Sequence, residues 1–230
     1  MQTVGMIGGI GPESTIDYYR LLIAGYRHRR PDGGAPSILI DSIDPRAMHA
    51  IAAGRLSDVA DALVAEFHKL AAAGADLGLI AASSPHVVFD AVQARSPIPL
   101  VSGVAAARDA AKARGLRRLA LLGTRWTMRA AFYPEAFAAA GIALVAPSLR
   151  EQAYIHDKYL RELLHGVSLP ATRDGFLQVI ARLQADERID GVVLGGTELA
   201  AILRDTPDAG LPLLDTTAIH VDAVLDRSLI

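Results

Sequence analysis

Short, unbroken apolar runs alternate with stretches of helical spacing along the whole chain, and this alternation limits the fold more than any other feature. The runs fall at residues 3–8, 37–41, 77–82, 98–102, 118–123, 142–146, 191–195 and 212–215. Between them, residues 14–29, 56–73, 105–114, 128–140, 152–165, 171–184 and 217–225 repeat apolar side chains at i, i+3 and i+4. A strand that is apolar on both faces must be covered on both faces, so the pattern predicts parallel sheets with helices on either side.

At 230 residues the chain can form one large α/β domain or two of about 100 residues each. A coarse internal rhythm favours two. Each half opens with a strand ending in glycine and later offers a strand followed by a small polar cluster. The first pair of exits is Gly9-Ile10-Gly11-Pro12-Glu13-Ser14-Thr15 and Thr124-Arg125-Trp126-Thr127; the second is Ser83-Ser84-Pro85-His86 and Gly196-Thr197-Glu198. Ligands of open α/β sheets sit at the carboxyl ends of strands, where helix N-termini favour anions. No linker rich in Pro, Gly or Ser parts the halves, so two domains are expected to pack closely with a cleft between them.

Composition removes several classes of function. An apolar fraction of 51% with 21% charged residues is that of a globular protein. The net charge of −2 and the shortness of the basic run at 27–30 argue against nucleic-acid binding. The N-terminus lacks a charged segment followed by an apolar one, and no run approaches ~18 apolar residues, so neither a signal peptide nor a membrane span is expected. The expected location is the cytoplasm. With no cysteine there is no disulfide, thiolate metal site or thiol nucleophile. The seven histidines, at 28, 49, 68, 86, 156, 165 and 220, show no paired ligand spacing, and no metal is expected.

The exits admit competing readings. Gly9 and Gly11, with Ser14 in place of a last glycine, resemble a damaged dinucleotide fingerprint with Asp41 as its ribose acid. Against that, Pro12 lacks an N–H where a pyrophosphate needs donors, and Asp41 follows Gly11 by 30 residues, beyond the roughly 20 of that motif. A tight turn with Pro12 in the first helical turn and Ser14 or Thr15 as a local cap is one alternative; a small-anion site is the other. No G-x-x-x-x-G-K-[ST] is present. Ser83 and Ser84 can cap a helix or hold a carboxylate, and His86 can act as a general base or simply pack. Glu198 suits the first turn of a helix, whereas Gly195-Gly196 points to a close backbone approach that a cap does not need.

Taken together, these segments resemble one family. Residues Met6 to Arg20 are similar to the opening of the aspartate/glutamate racemases, which work without pyridoxal phosphate. Ser83-Ser84-Pro85-His86 resembles their Asn-Thr-x-His, Leu122-Gly123-Thr124-x-x-Thr127-Met128 their Gly-Thr-x-x-Thr, and Leu194-Gly195-Gly196-Thr197-Glu198-Leu199 their Gly-Cys-Thr-Glu, in order and through Pro212 to Thr217. The resemblance implies two similar domains, each a parallel sheet flanked by helices, about an interdomain cleft. It also implies a C-terminal helix that returns to the first domain, commonly a homodimer, and no cofactor; with the strand and helix rhythm of the two halves, residues 1–98 with 206–230 are expected in one domain and 99–205 in the other.

The same resemblance exposes a departure. Family racemases move the α-proton with two cysteines, and the matching positions here are Ala82 and Gly196. General acid–base groups supply about 10²–10⁴-fold each, so two-base racemisation should be weak or absent. A small carboxylate or amino acid is the expected ligand, bound by Gly11, Ser14, Thr15, Ser83, Ser84, Thr124, Thr127, Gly196 and Thr197, with Arg46 as a partner for a distal carboxylate. Ser83, Ser84, Thr197 and Glu198 are the candidate catalytic residues. Four functions compete: an isomerase, lyase or decarboxylase of altered chemistry; a binding protein without turnover; a weak aspartate or glutamate racemase using non-cysteine bases; and, distantly, a nucleotide-dependent oxidoreductase.

Overall fold

The computed structural model describes residues 1–31, 33–44, 46, 53, 55–204 and 210–229. The chain divides into two compact units, Met1–Gly103 with Thr217–Ile230, and Val104–Thr216. Each is built on its own parallel sheet.

In unit 1, strands β1 (Val4–Gly8), β2 (Ile38–Ser42) and β3 (Leu77–Ile80) run in the order β2-β1-β3. The central strand β1 is buried throughout, as its unbroken apolar sequence requires, while the edge strand β2 is partly exposed. Helices α1 (Pro12–Arg29) and α2 (Leu56–Ala72) follow β1 and β2. After β3 come a 3₁₀ turn (Ser84–Val88) and α3 (Phe89–Gln93). The core joins Val4, Met6, Leu22 and Leu79 to Val221, Val224 and Leu225 of the last helix, which returns to this unit.

In unit 2, α4 (Gly103–Ala113, its first residue belonging to unit 1) leads into a four-stranded sheet. Its strands β4 (Arg118–Leu122), β5 (Ala143–Val145), β6 (Gly191–Leu194) and β7 (Leu213–Asp215) run in the order β5-β4-β6-β7. The helices are α5 (Arg125–Arg129), α6 (Phe132–Ala138), α7 (Leu149–Arg161), α8 (Pro170–Glu187), α9 (Thr197–Leu203) and α10 (Thr216–Ser228), the last passing back to unit 1. A 3₁₀ turn at Leu163–His165 follows α7. Leu122, Ile155, Phe176, Ile180, Leu194 and Leu199 form the heart of this core.

The structure differs from the expectations at five points. The run at 98–102 does not become a strand but touches the sheet through one parallel bridge, Gly78 to Leu100. The helix expected over 128–140 splits into α5 and α6, because the ring of Pro134 would clash with the carbonyl of residue 130 in a continuous helix, and Ala130 is extended (φ −75°, ψ 151°). Helix α7 starts at Leu149, ahead of residue 152, because Ser148 and Glu151 form a reciprocal capping box. Finally, the strand at 212–215, expected in the first domain, pairs with β6 through Val192–Leu213, Val193–Leu214 and Leu194–Asp215 and so stays with unit 2. The unit boundaries fall after Gly103 and Thr216, where 98 and 205 were expected.

Candidate active site

The exit of β1 is a turn locked by its own side chain. Gly9 takes φ +82°, and a Cβ there would lie 2.2 Å from the Ile43 carbonyl oxygen, so only glycine fits. The Thr15 hydroxyl accepts from the Gly9 N–H at 2.8 Å and donates to the Gly11 carbonyl at 3.3 Å. Gly11 is the N-cap of α1, with Pro12 in the first turn and Ser14 buried just inside the helix. Of these residues, Thr15 is therefore already engaged in holding the loop.

At the exit of β3, Ser83 precedes the 3₁₀ turn with no side-chain capping bond, and both Ser83 and Ser84 are half-buried. His86 is buried and bound on both sides: its Nδ1 donates to the Ala82 carbonyl at 3.0 Å, and its Nε2 accepts from the Gly103 N–H at 3.0 Å. Its ring stacks on Phe89 with centroids 5.3 Å apart. Burial lowers its pKa to about 4, against backbone hydrogen bonding to Ala82 and Ser83 that pulls the other way. A neutral imidazole with both nitrogens committed to backbone is a strut, not a base.

A second strut stands beside it. His220 of α10 donates from Nε2 to the Val101 carbonyl at 2.8 Å and accepts the Tyr18 hydroxyl at Nδ1, also at 2.8 Å. Burial first, and then the neighbouring His86, lowers its pKa to about 3. The two imidazoles meet edge-on with centroids 5.9 Å apart. Together they tie α1, the bridge segment at 98–102 and the returning helix to the exit of β3.

In unit 2, Thr124 caps α5: its Oγ1 accepts from the Thr127 N–H at 3.2 Å and lies 3.1 Å from the Thr127 hydroxyl, which is fully buried. The β6 exit is different in kind. Gly196 is extended (φ −160°), a conformation open to any residue, yet a Cβ there would lie 2.7 Å from Tyr159 Cε2 and 2.8 Å from its hydroxyl. Tyr159, on α7, donates its hydroxyl to Glu198 Oε2, which also accepts from Thr197 Oγ1 at 2.8 Å. Tyr159 and Glu198 are 5% and 6% exposed. Burial, reinforced by the Glu198 charge, pushes the phenol pKa well above its ordinary value. A buried carboxylate is costly unless hydrogen-bonded, and these two hydroxyls meet part of that cost.

The remaining candidates lie elsewhere. Arg46 donates to Asp44 through its backbone N–H at 2.8 Å and through Nε at 2.7 Å, and its side chain is 80% exposed. Asp41 hydrogen-bonds Glu66; burial and that carboxyl neighbour raise its pKa, so its carboxyl is engaged within unit 1. A surface groove of about 910 Å³ runs between α7 and α8, but its Ser148, Glu151 and Arg182 bond one another and none of the motif residues lines it. Among the described residues no group of three or more His, Asp or Glu could hold a metal ion.

Comparison with known proteins now decides the lineage. The profile of the Asp/Glu/Hydantoin racemase family matches residues 7–224. The chain belongs to the Asp/Glu/Hydantoin racemase family. A candidate Asp/Glu racemase from Yersinia pestis is 30% identical with TM-score 0.91, and an aspartate racemase homologue from Pyrococcus horikoshii is 30% identical with TM-score 0.89; in both, 100% of each chain is covered. The Picrophilus torridus aspartate racemase shares the fold at 19% identity and TM-score 0.78, over 99% of this chain and 94% of its own. Within this racemase-family fold the chain has no cysteine. Sequence reading passed over Tyr159, Tyr18 and His220, which look like core positions of amphipathic helices. The one signal for Tyr159 was the bare Gly196, whose missing volume some other side chain has to fill.

Proposed function

We propose that this chain binds a small carboxylate or amino acid at the carboxyl ends of its strands, as a cofactor-independent isomerase- or lyase-type enzyme that works without a pair of thiols. The observation that carries this reading is a racemase-family fold with its motif-bearing exits kept, in a chain with alanine at 82, glycine at 196 and no cysteine. Ser14, Ser83, Ser84, Thr197 and the backbone around Gly11 and Gly196 supply the polar contacts. Thr15, Thr124 and Thr127 serve by holding the exits in shape, and Arg46 can reach a distal carboxylate only by exchanging Asp44 for it. Of the candidate catalytic residues Ser83, Ser84, Thr197 and Glu198, only Glu198 is ionisable.

A carboxylate-binding protein without turnover is the second reading, favoured by the number of groups already spent: both His86 nitrogens and the Thr15 and Thr124 hydroxyls bond to backbone. A weak aspartate or glutamate racemase with non-cysteine bases is the third. Thermal-shift screening with small mono- and dicarboxylates, repeated in D₂O with NMR, separates the first two, since a bound ligand raises the melting temperature by mass action, and chiral analysis of the product identifies the third. Binding with α-deuteration supports the enzyme, binding alone supports the second reading, and no shift with any member overturns both. No described helix is long and apolar enough to cross a membrane. A cytoplasmic homodimer completes the proposal; exposed Ile16 and Tyr19 on α1 support self-association, which light scattering tests.

A further inference from the structure

Two observations at the β6 exit belong together. Two residues past the end of the strand stands Gly196, whose backbone angles would suit any residue, and the space its side chain would take is filled by the phenol of Tyr159, delivered from α7. Behind that phenol stands a buried carboxylate, Glu198, accepting its proton together with that of Thr197. A tyrosine that served only as filler would not need its hydroxyl set on a carboxylate, because phenylalanine packs the same volume without burying a charge.

We propose that Tyr159 and Glu198 form a proton relay, in which the phenol oxygen takes a proton from a carbon acid bound at Gly196 while passing its own to Glu198. In this step the substrate C–H bond breaks and its electron pair stays on the substrate, delocalised into the adjacent carboxylate. A new O–H bond forms at Tyr159 Oη, the original Tyr159 O–H bond breaks, and that proton ends on Glu198 Oε2. The products are a neutral phenol, a neutral carboxyl group and a carbanion; the reverse transfer returns the proton. The high pKa of Tyr159 forbids a free phenolate, so both transfers must occur together and the carboxylate is the net base. At the β3 exit Ala82 has no proton acceptor and the His86 nitrogens are occupied. A single relay that removes and restores a proton gives exchange with retention of configuration, not racemisation.

This inference rests on the carboxylate-binding reading, and one experiment tests the two apart. The full chain is incubated in D₂O with L-aspartate, L-glutamate or L-malate, with melting shifts, ¹H NMR of the α-proton and chiral chromatography recorded in parallel. The expected result is that a probe that raises the melting temperature also loses its α-proton signal while keeping its configuration. Tyr159→Phe keeps the melting shift but slows exchange by about 10²-fold or more. Glu198→Gln, whose amide cannot take up the relayed proton, does the same and decides the matter if the first variant does not fold. No melting shift with any probe overturns the binding reading and this one with it. A shift without exchange in the unmodified chain, exchange undiminished in a folded variant, or rapid formation of the D-isomer overturns the relay alone.

Discussion

The exits of β3 and β6 present similar short polar clusters, yet they treat protons in opposite ways. At β3 the ionisable group is an imidazole held neutral and bound at both nitrogens by Ala82 and Gly103. At β6 it is a carboxylate in contact with a phenol and a threonine hydroxyl. Unit 1 has spent its titratable group on architecture, and unit 2 has kept one beside a bare glycine. A motif residue's chemistry depends on which of its atoms the fold has already used.

The strongest way to break this contrast is to remove the strut. His86→Ala opens a cavity and leaves the Ala82 carbonyl and the Gly103 N–H without partners, which should cost about 3–5 kcal/mol and lower the melting temperature by roughly 10 °C. Near-normal stability combined with lost α-proton exchange would instead make His86 a functional base.

Acid gives a second test. Both histidines titrate below their unfolded value of roughly 6.5, His86 at about 4 and His220 at about 3. Between those limits the unfolded chain binds more protons than the folded one, so stability is complete above about pH 6.5 and falls as pH drops through the window. The loss should be on the order of a few kcal/mol, with much of it between about pH 6.5 and 5, above the range in which ordinary carboxylates titrate. Denaturant unfolding at several pH values measures it; a flat profile from pH 7 to 5 would show that the imidazoles are not buried neutral struts.

The glycine in unit 2 offers a smaller effect. Gly196→Cys should destabilise by about 1–3 kcal/mol because its Cβ meets the Tyr159 ring. Tyr159→Ala in the same chain makes room, so the double variant should be more stable than the sum of the two losses predicts. Strict additivity in a double-mutant cycle would mean that the two positions do not share space. Smallest of all is Arg46→Ala, which should leave both melting temperature and carboxylate affinity near those of the unmodified chain, since the exposed guanidinium already serves Asp44. A tenfold loss of affinity would restore Arg46 to the ligand site.

Much of this molecule is legible in its sequence, for local reasons. The apolar runs that became β1, β3 and β6 are buried along their whole length, and β4 is buried from Leu119 to Leu122, as runs apolar on both faces require. The capping box at Ser148 and Glu151 and the break forced by Pro134 also arise from neighbours a few residues apart, but apolar spacing alone missed both. The fate of the run at 98–102 was not legible, because whether an apolar segment becomes a strand depends on a free sheet edge, and here only Leu100 bridges. The strand at 212–215 names no sheet of its own; pairing with β6 settled that.

By itself the sequence determined the alternating α/β plan, the family and the absence of any thiol, since covalent identity and hydrophobic period are properties of residues and their near neighbours. Only the tertiary structure decided which protons are available. Tyr159 meets Glu198 across 39 residues and Tyr18 meets His220 across 202. Hydrogen-bond partners so distant leave no periodic trace in the chain, and they fix why His86 is a strut and why Gly196 has a phenol at its side.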